Sequence, residues 1–397
     1  MGKRIIKFSV RPNLKYPFQY LMYNIIREIE SILIFKFLDF TDPFIYNIMM
    51  FAGEFFSGLI VFLYQKKFVN KTLFKIVSTS KSKDLELITT NTSLKTIDSV
   101  PKMIFILFCC ALFDFIQLVI SIDSVEYVNF DLRLGGFLII IDALFYKFAL
   151  KLPILRHQFF CLIAIGICLL IILLTEFIFQ EINFLFSYEK VFFFLFVSLF
   201  GRFFCAMIDL NEKYLFDYNN VNPFFALWFE GFFGIILTLV FYIVYKIFKG
   251  ITFKQYKAYE IVILVFALMI YILLSGFKNI YRVNTTKIFT PMVTSSFEYL
   301  INPIFIILDF SLNEDFMIKG EKNYTYFFIN LIICLIISFF YWVFNDFIIL
   351  SFCDLDKDTH KEISKRSLQD EKLINLEDIN DDDEDWENLN RIFLYIF

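Results

Sequence analysis

Runs of about twenty apolar residues recur along nearly the whole 397-residue chain. That length carries a helix across the roughly 30 Å hydrocarbon core of a bilayer. Lipid offers no partner to a backbone N–H or C=O, so a run of this kind must satisfy itself as helix. With 58% of residues hydrophobic, 58 of them phenylalanine, no soluble domain could hide the apolar surface. The sequence therefore predicts an all-α polytopic membrane protein. The excess of Phe, Ile, Asn and Lys is what an AT-rich coding sequence would give, and it carries no functional weight.

Ten spans are read at this length, over 17–38, 43–64, 103–122, 127–148, 154–178, 191–210, 223–247, 259–281, 286–308 and 324–352. The first is interrupted by Arg27, Glu28 and Glu30. The organisation expected is a cytosolic segment over 1–16, a five-helix repeat over 17–180 with a cytosolic insert at 65–102, a second five-helix repeat over 181–352, and an acidic tail over 353–397. The tail carries Asp381, Asp382, Asp383, Glu384 and Asp385 and is expected to be disordered. The start, Met1-Gly2-Lys3-Arg4, is basic without the compact apolar core of a signal peptide. Lysines and arginines before the first span, after the second and around 278–287 place both termini in the cytosol. Lys249, Lys254 and Lys257 disagree and are outvoted.

The two halves echo each other. Gly53-Glu54-Phe55-Phe56-Ser57-Gly58 in the second span matches Glu230-Gly231-Phe232-Phe233-Gly234 in the seventh. A charged group at bilayer depth costs about 2.5–3.5 kcal/mol on insertion scales, so two carboxylates at matching points call for a reason. The spans differ by five, an odd number, so the second half enters the membrane inverted. Inverted repeats place a solute site near the midplane between the halves. Asn222-Pro223 is the expected start of the seventh helix, with Asn as cap and Pro in the first turn. The stretch before it, Asn211-Glu212-Lys213-Tyr214, reads as an ordered elbow.

Other intramembrane polar residues are candidates for the same interior. Asp114 and Gln117 share a face of the third span. Asp142 lies deep in the fourth, whereas Lys147 is shallow enough to reach the interface. Arg202 and Asp209 are seven apart on one face of the sixth and can pair with each other through intermediates or with Asp142, and Arg202 suits an anionic solute. Glu298, among Ser295, Ser296 and Tyr299, precedes Asn302-Pro303, which would kink the ninth span. Glu54 and Glu230 can bind substrate or a proton, or can hold helices together by hydrogen bonds. The seven cysteines lack metal-ligand spacing, and His157 and His360 are the two histidines. No metal site or disulfide framework is expected. His157 has no neighbouring acid in sequence, which counts against an enzyme. Sequons occur at Asn91, Asn284 and Asn323.

These motifs resemble the drug/metabolite transporter superfamily, and most closely the F-type branch of solute carrier family 35. The residues that carry the resemblance are Glu212-Lys213-Tyr214, Tyr218-Asn219, Val221-Asn222-Pro223 and Glu230-Gly231-Phe232-Phe233-Gly234. Asp42-Pro43-Phe44, Met50 through Phe55 and Ala111-Leu112-Phe113-Asp114 add to it. The chain departs from the family at Leu134-Gly135-Gly136, where arginine usually precedes the glycine, and at Thr294, where arginine is usual. The resemblance implies an EamA-like five-plus-five inverted repeat and alternating access. It implies a solute that is small and polar or anionic, with nucleotide sugar as the family-level expectation, moved as an antiporter would across a Golgi, lysosome-like or vacuolar membrane. No cofactor and no nucleic acid is called for. The partners are the bilayer and a small-molecule substrate, and a homodimer stays open. A non-transporting membrane interaction protein and a multi-pass enzyme are the rival readings.

Overall fold

The computed structural model describes residues 6–8, 13–38, 42–65, 100–123, 134–183, 188–219, 221–249, 257–312, 317–318, 321–322 and 324–351. The polar insert, the acidic tail and the sequons at Asn91 and Asn323 lie outside these residues. The helices are α1 (Lys15–Leu38), α2 (Pro43–Tyr64), α3 (Val100–Asp123), α4 (Phe137–Phe148), α5 (Arg156–Asn183), α6 (Tyr188–Lys213), α7 (Pro223–Lys249), α8 (Ala258–Ile288), α9 (Pro291–Tyr299), α10 (Ile301–Leu312) and α11 (Tyr324–Phe344). The strands are β1 (Ile6–Phe8), β2 (Met317–Ile318), β3 (Glu321–Lys322) and β4 (Ile348–Leu350). Seven helical segments among the described residues are long and apolar enough to cross a membrane, those of α2, α3, α5, α7, α8, α9 with α10, and α11.

Local chemistry sets several boundaries where the sequence places them. Asp42 caps α2, its Oδ1 accepting from the Phe44 amide at 3.1 Å, with Pro43 in the first turn. Asn222 caps α7 in the same way, accepting from the Phe224 amide at 2.9 Å ahead of Pro223. The elbow before it is ordered: α6 passes at Lys213 into a π-helical turn, Tyr214–Tyr218, and Asn219 closes it by donating to the Tyr214 carbonyl at 2.8 Å.

Several boundaries differ from expectation. The fourth span, expected over 127–148, is helix from Phe137 after a turn at Gly135-Gly136, and its positions 127–133 lie outside the described residues. α8 does not end at Tyr281 but runs to Ile288, because nothing breaks the helix before Pro291. The ninth span therefore starts at Pro291 and is broken at Leu300, as α9 and α10. Pro303 explains the break, since it has no N–H to offer the Tyr299 carbonyl four residues back. α11 stops at Phe344 rather than continuing to 352: Asp346 adopts a left-handed conformation (φ 59°) and the chain turns into β4.

The helices pack in pairs. α2 lies antiparallel on α7, with Phe44 beside Tyr245 at one end and Phe62 beside Phe225 at the other. α1 packs on α8, where Tyr23 stacks on Tyr281 at 5.5 Å, and α6 packs on α3, where Phe204 meets Phe113. α2 also touches α8, as α7 touches α3. α5 lies on α11. α4 packs on α6, and α9 on α1. The outward faces are apolar even on the charged helices: Phe18, Met22, Ile26, Ile29 and Leu33 form a stripe on α1, and Phe193, Phe196, Phe200 and Phe203 on α6.

Glycine sets the closest of these contacts. A Cβ on Gly58 would stand 2.6 Å from the Trp228 amide nitrogen, and one on Gly231 would overlap the Phe55 backbone. β1 pairs antiparallel with β4, Lys7 opposite Ile349, so the segment before α1 meets the segment after α11 at one end of the bundle.

Two outcomes are expected. Gly231→Leu should lower stability by about 3 kcal/mol through overpacking, whereas Gly166→Leu, with nothing within 4 Å of its Cβ position, should not. Thermal unfolding of the purified variants checks this. Tags fused to the two ends should be both cut or both protected when sealed vesicles are treated with protease, because β1 and β4 are paired.

Candidate functional site

The interior polar groups converge on α8. Its residues Ser275, Lys278, Asn279 and Arg282 are spaced at three, four and seven, which places them on one side of a helix. All but Arg282 are buried, and Arg282 is half-buried. Lys278, at the end of the eighth span, and Arg282, just past it, were expected to flank a cytosolic turn. They are interior because α8 continues two turns past Tyr281. The signal available in the sequence was this polar stripe together with the distance to the next proline.

Arg282 is the central cation. It pairs with Glu212, from the end of α6, and its Nη2 lies 3.6 Å from Glu230 Oε2 on α7. Glu212 is thus more than an elbow residue: fully buried, it carries the charge that holds α8 to α6. Lys213 next to it faces elsewhere, pairing with Asp217 at 2.6 Å and lying over the Tyr146 ring. Glu54 on α2 accepts from Asn279 Nδ2 at 2.9 Å. Asp114 on α3 is within electrostatic reach of Glu54, Arg282 and Lys278, and Gln117 follows one turn later, half-buried. The two echoing carboxylates therefore meet one polar stripe from two sides. Their flanking glycines serve contact: Gly231 lies on α2, Gly234 against the Phe51 ring, and a Cβ on Gly53 would come 2.6 Å from the Ile272 carbonyl of α8.

A second group surrounds Glu298. The other residues of α9 are buried, yet Glu298 is exposed. Lys278 from α8, Arg27 from α1 and Arg202 from α6 are all within electrostatic reach of it, so the space it borders is internal to the bundle. The hydroxyl of Tyr20, itself wholly buried, donates to Glu298 Oε2 at 2.8 Å. Lys278 Nζ lies 5.9 Å from the centre of the Tyr20 ring. Arg27 pairs with Glu28 on its own helix. The charges of α1 that interrupt its apolar run thus belong partly to the interior, facing α8 and α9.

The third group is Asp142 on α4 and Asp209 on α6. Asp142 was expected to line a cavity or to pair with Arg202. It does neither: it is 0% exposed, and the charged group that acts on it is Asp209. Asp209 Oδ2 accepts from Ser295 Oγ at 3.3 Å. Lys147 is exposed near the end of α4, as its position in the span suggests.

His157 also has an acid, contrary to its sequence context. Asp346, brought round by the turn after α11, places Oδ1 2.9 Å from His157 Nε2, and both side chains are buried. The pair joins the start of α5 to β4 inside an apolar cluster of α4, α5 and α11. Asn284 is buried in α8, so its sequon is closed to modification. Among the described residues no group of three or more His, Cys, Asp or Glu is arranged to hold a metal ion.

The energetics of Arg282 are testable. Removing one member of a buried ion pair costs about 3–5 kcal/mol because the partner is left charged and unpaired. Arg282→Ala should lose about that much in unfolding measurements. Adding Glu212→Gln should recover part of it, a coupling that a double-mutant cycle will read.

Comparison with protein-family models and with curated proteins finds no match for this chain.

Proposed function

We propose that the protein is a secondary transporter that moves a small polar solute by rocking two inverted halves about the α2–α7 crossing. The observation that carries the reading is the symmetry of the packing. Number the helical units as ten, with α9 and α10 together as the ninth and α11 as the tenth. Exchange each unit with the one five places away. The α1–α8 contact then becomes α6–α3, α2–α8 becomes α7–α3, and the contact of α1 with α9 becomes that of α6 with α4; all of these are present. The α2–α7 and α5–α11 contacts map onto themselves. Residue 55 plus the sequence offset of 176, taken from Glu54 and Glu230, is residue 231, and Phe55 and Gly231 are the residues in backbone contact. A pseudo-two-fold axis through the two motifs is the geometry that an inverted repeat requires.

The count of ten has separate support. Paired β1 and β4 put the two ends of the membrane region on one side, which needs an even number of crossings. Seven apolar segments are odd in number. Adding α1, α4 and α6, each with exposed apolar residues on its outer side, makes ten. Both ends are then cytosolic by the excess of Lys and Arg in the loops on that side.

The solute would sit where Glu298 borders internal space, within electrostatic reach of Arg202 and Lys278, between α1, α6, α8 and α9. Arg202 and Lys278 supply cations for a phosphate or carboxylate, in line with the nucleotide-sugar expectation of the solute carrier 35 resemblance. Glu54, Asp114 and Glu230 with Arg282 form the neighbouring network that a change of state would rearrange. An endomembrane compartment is the setting that the same resemblance suggests. Fold alone does not fix the cargo.

The test is counterflow uptake by purified protein in liposomes, with nucleotide sugars, nucleotides, amino acids and organic cations. Saturable exchange of one class is expected, with Glu298→Gln reducing it at least about tenfold, as loss of about 1.4 kcal/mol of binding would. No exchange over the whole panel by folded protein would overturn the reading in favour of a non-transporting membrane partner.

A further inference from the structure

We propose that Asp142 and Asp209 share one bound proton and are the proton-binding site of this protein. Asp142 is wholly buried, and among the described residues neither of its carboxyl oxygens receives a hydrogen bond. The polar group within hydrogen-bonding reach is the carboxyl of Asp209. Two carboxylates in contact, in apolar surroundings, repel each other and leave acceptor facing acceptor. A single proton cures both faults: it removes one charge and supplies the missing donor. This is the arrangement of a carboxyl pair that cannot ionise twice.

The groups around the pair decide which carboxyl holds the proton. On α4 itself, Tyr146 lies one turn away, its hydroxyl also buried and without a hydrogen-bond partner among the described residues. From α11, Tyr341 faces Asp142 but spends its hydroxyl proton on the Gly135 carbonyl at 3.2 Å. From α6, Glu212 acts on Asp209, and Arg202 acts on the Tyr341 side. From α8, Arg282 stabilises negative charge on Asp209; from α9, Ser295 donates to it while Glu298 opposes it. No described charged group of α5 or α11 acts on Asp142. Asp209 thus has a cation and a donor for its negative form, and Asp142 has neither. The proton resides on Asp142 and points to Asp209.

The pair links α4, before the central division of the chain, to α6, after it. Its use as a coupling site rests on the carrier reading. Motion that parts α4 from α6 would leave Asp142 without its acceptor and open it to water, where it would release the proton. Tyr146, one turn further along α4, is the nearest hydroxyl on the same helix. The bound proton itself does not depend on transport.

The experiment is infrared spectroscopy of the purified full-length protein in lipid nanodiscs at neutral pH. The expected result is a carbonyl band of a protonated carboxylic acid that moves in deuterated water, is lost in Asp142→Asn and is shifted in Asp209→Asn. Absence of that band from the difference between the intact protein and Asp142→Asn would overturn the proposal, as would a band indifferent to Asp209→Asn. Asn has nearly the shape of the neutral acid. Should Asp142→Asn nonetheless be misfolded, the Asp209→Asn shift decides alone. Failure of the carrier reading would show instead as absence of exchange in liposomes, with the infrared result unchanged.

Discussion

The structure depends on the contact of backbone with backbone where α2 crosses α7 and α8. In lipid, apolar side chains gain little by leaving one hydrocarbon for another, so association rests on close packing and on polar contacts between helices. At Gly58 and Gly231 no side chain separates the two helices, and at Gly53 none separates α2 from α8. That approach draws Glu54 to Asn279 and lets Arg282 stand between Glu212 and Glu230. Larger residues at these glycines would move the helices apart and leave the same charges unpaired in the membrane interior.

The polar interior is therefore conditional on the packing, and the packing is in turn held by the polar interior. Arg282 has two acids within reach, and Lys278 faces Glu298 beside the Tyr20 ring. Such groups are costly when single and acceptable when matched. Glu298 differs in remaining exposed to internal space, so its charge is available to something other than protein. Asp142 and Asp209 differ again, since they meet each other and, among the described residues, Asp142 has no donor of its own. The three groups thus divide the interior into a structural network, a solvent-accessible position and a carboxyl pair.

The helices were legible in the sequence to different degrees. α2 and the start of α7 were fully so, because Asp42-Pro43 and Asn222-Pro223 are complete local signals for a capped start. The end of α8 was misplaced because Arg282 and Lys287, with Lys278 just before them, resemble the edge of a cytosolic turn when only their charge is counted. Their helical spacing, read first, would have kept the helix intact to the residues before Pro291. The end of α11 was misplaced because an apolar run continues through 347–350, and composition does not distinguish its last residues as strand. Of the site, Glu54, Asp114, Glu230 and Glu298 were found by the rarity of carboxylates at bilayer depth. His157 was set aside because its partner, Asp346, is far along the chain.

By itself the sequence determined that this chain has helices apolar enough to cross a membrane, where two of them begin, and that two of them carry similar runs of glutamate, glycine and paired phenylalanine. Those are properties of neighbouring residues: apolar length, caps and spacing act within a few turns. Tertiary structure decided which charges meet. Tyr20 and Glu298 are 278 residues apart, Glu54 and Asn279 are 225 apart, and Glu212 and Arg282 are 70 apart. No local pattern encodes such pairs. They follow from how closely the glycine faces allow helices to approach, and it is this approach that turns a lysine and an arginine with the look of a loop into the counter-charges of a buried site.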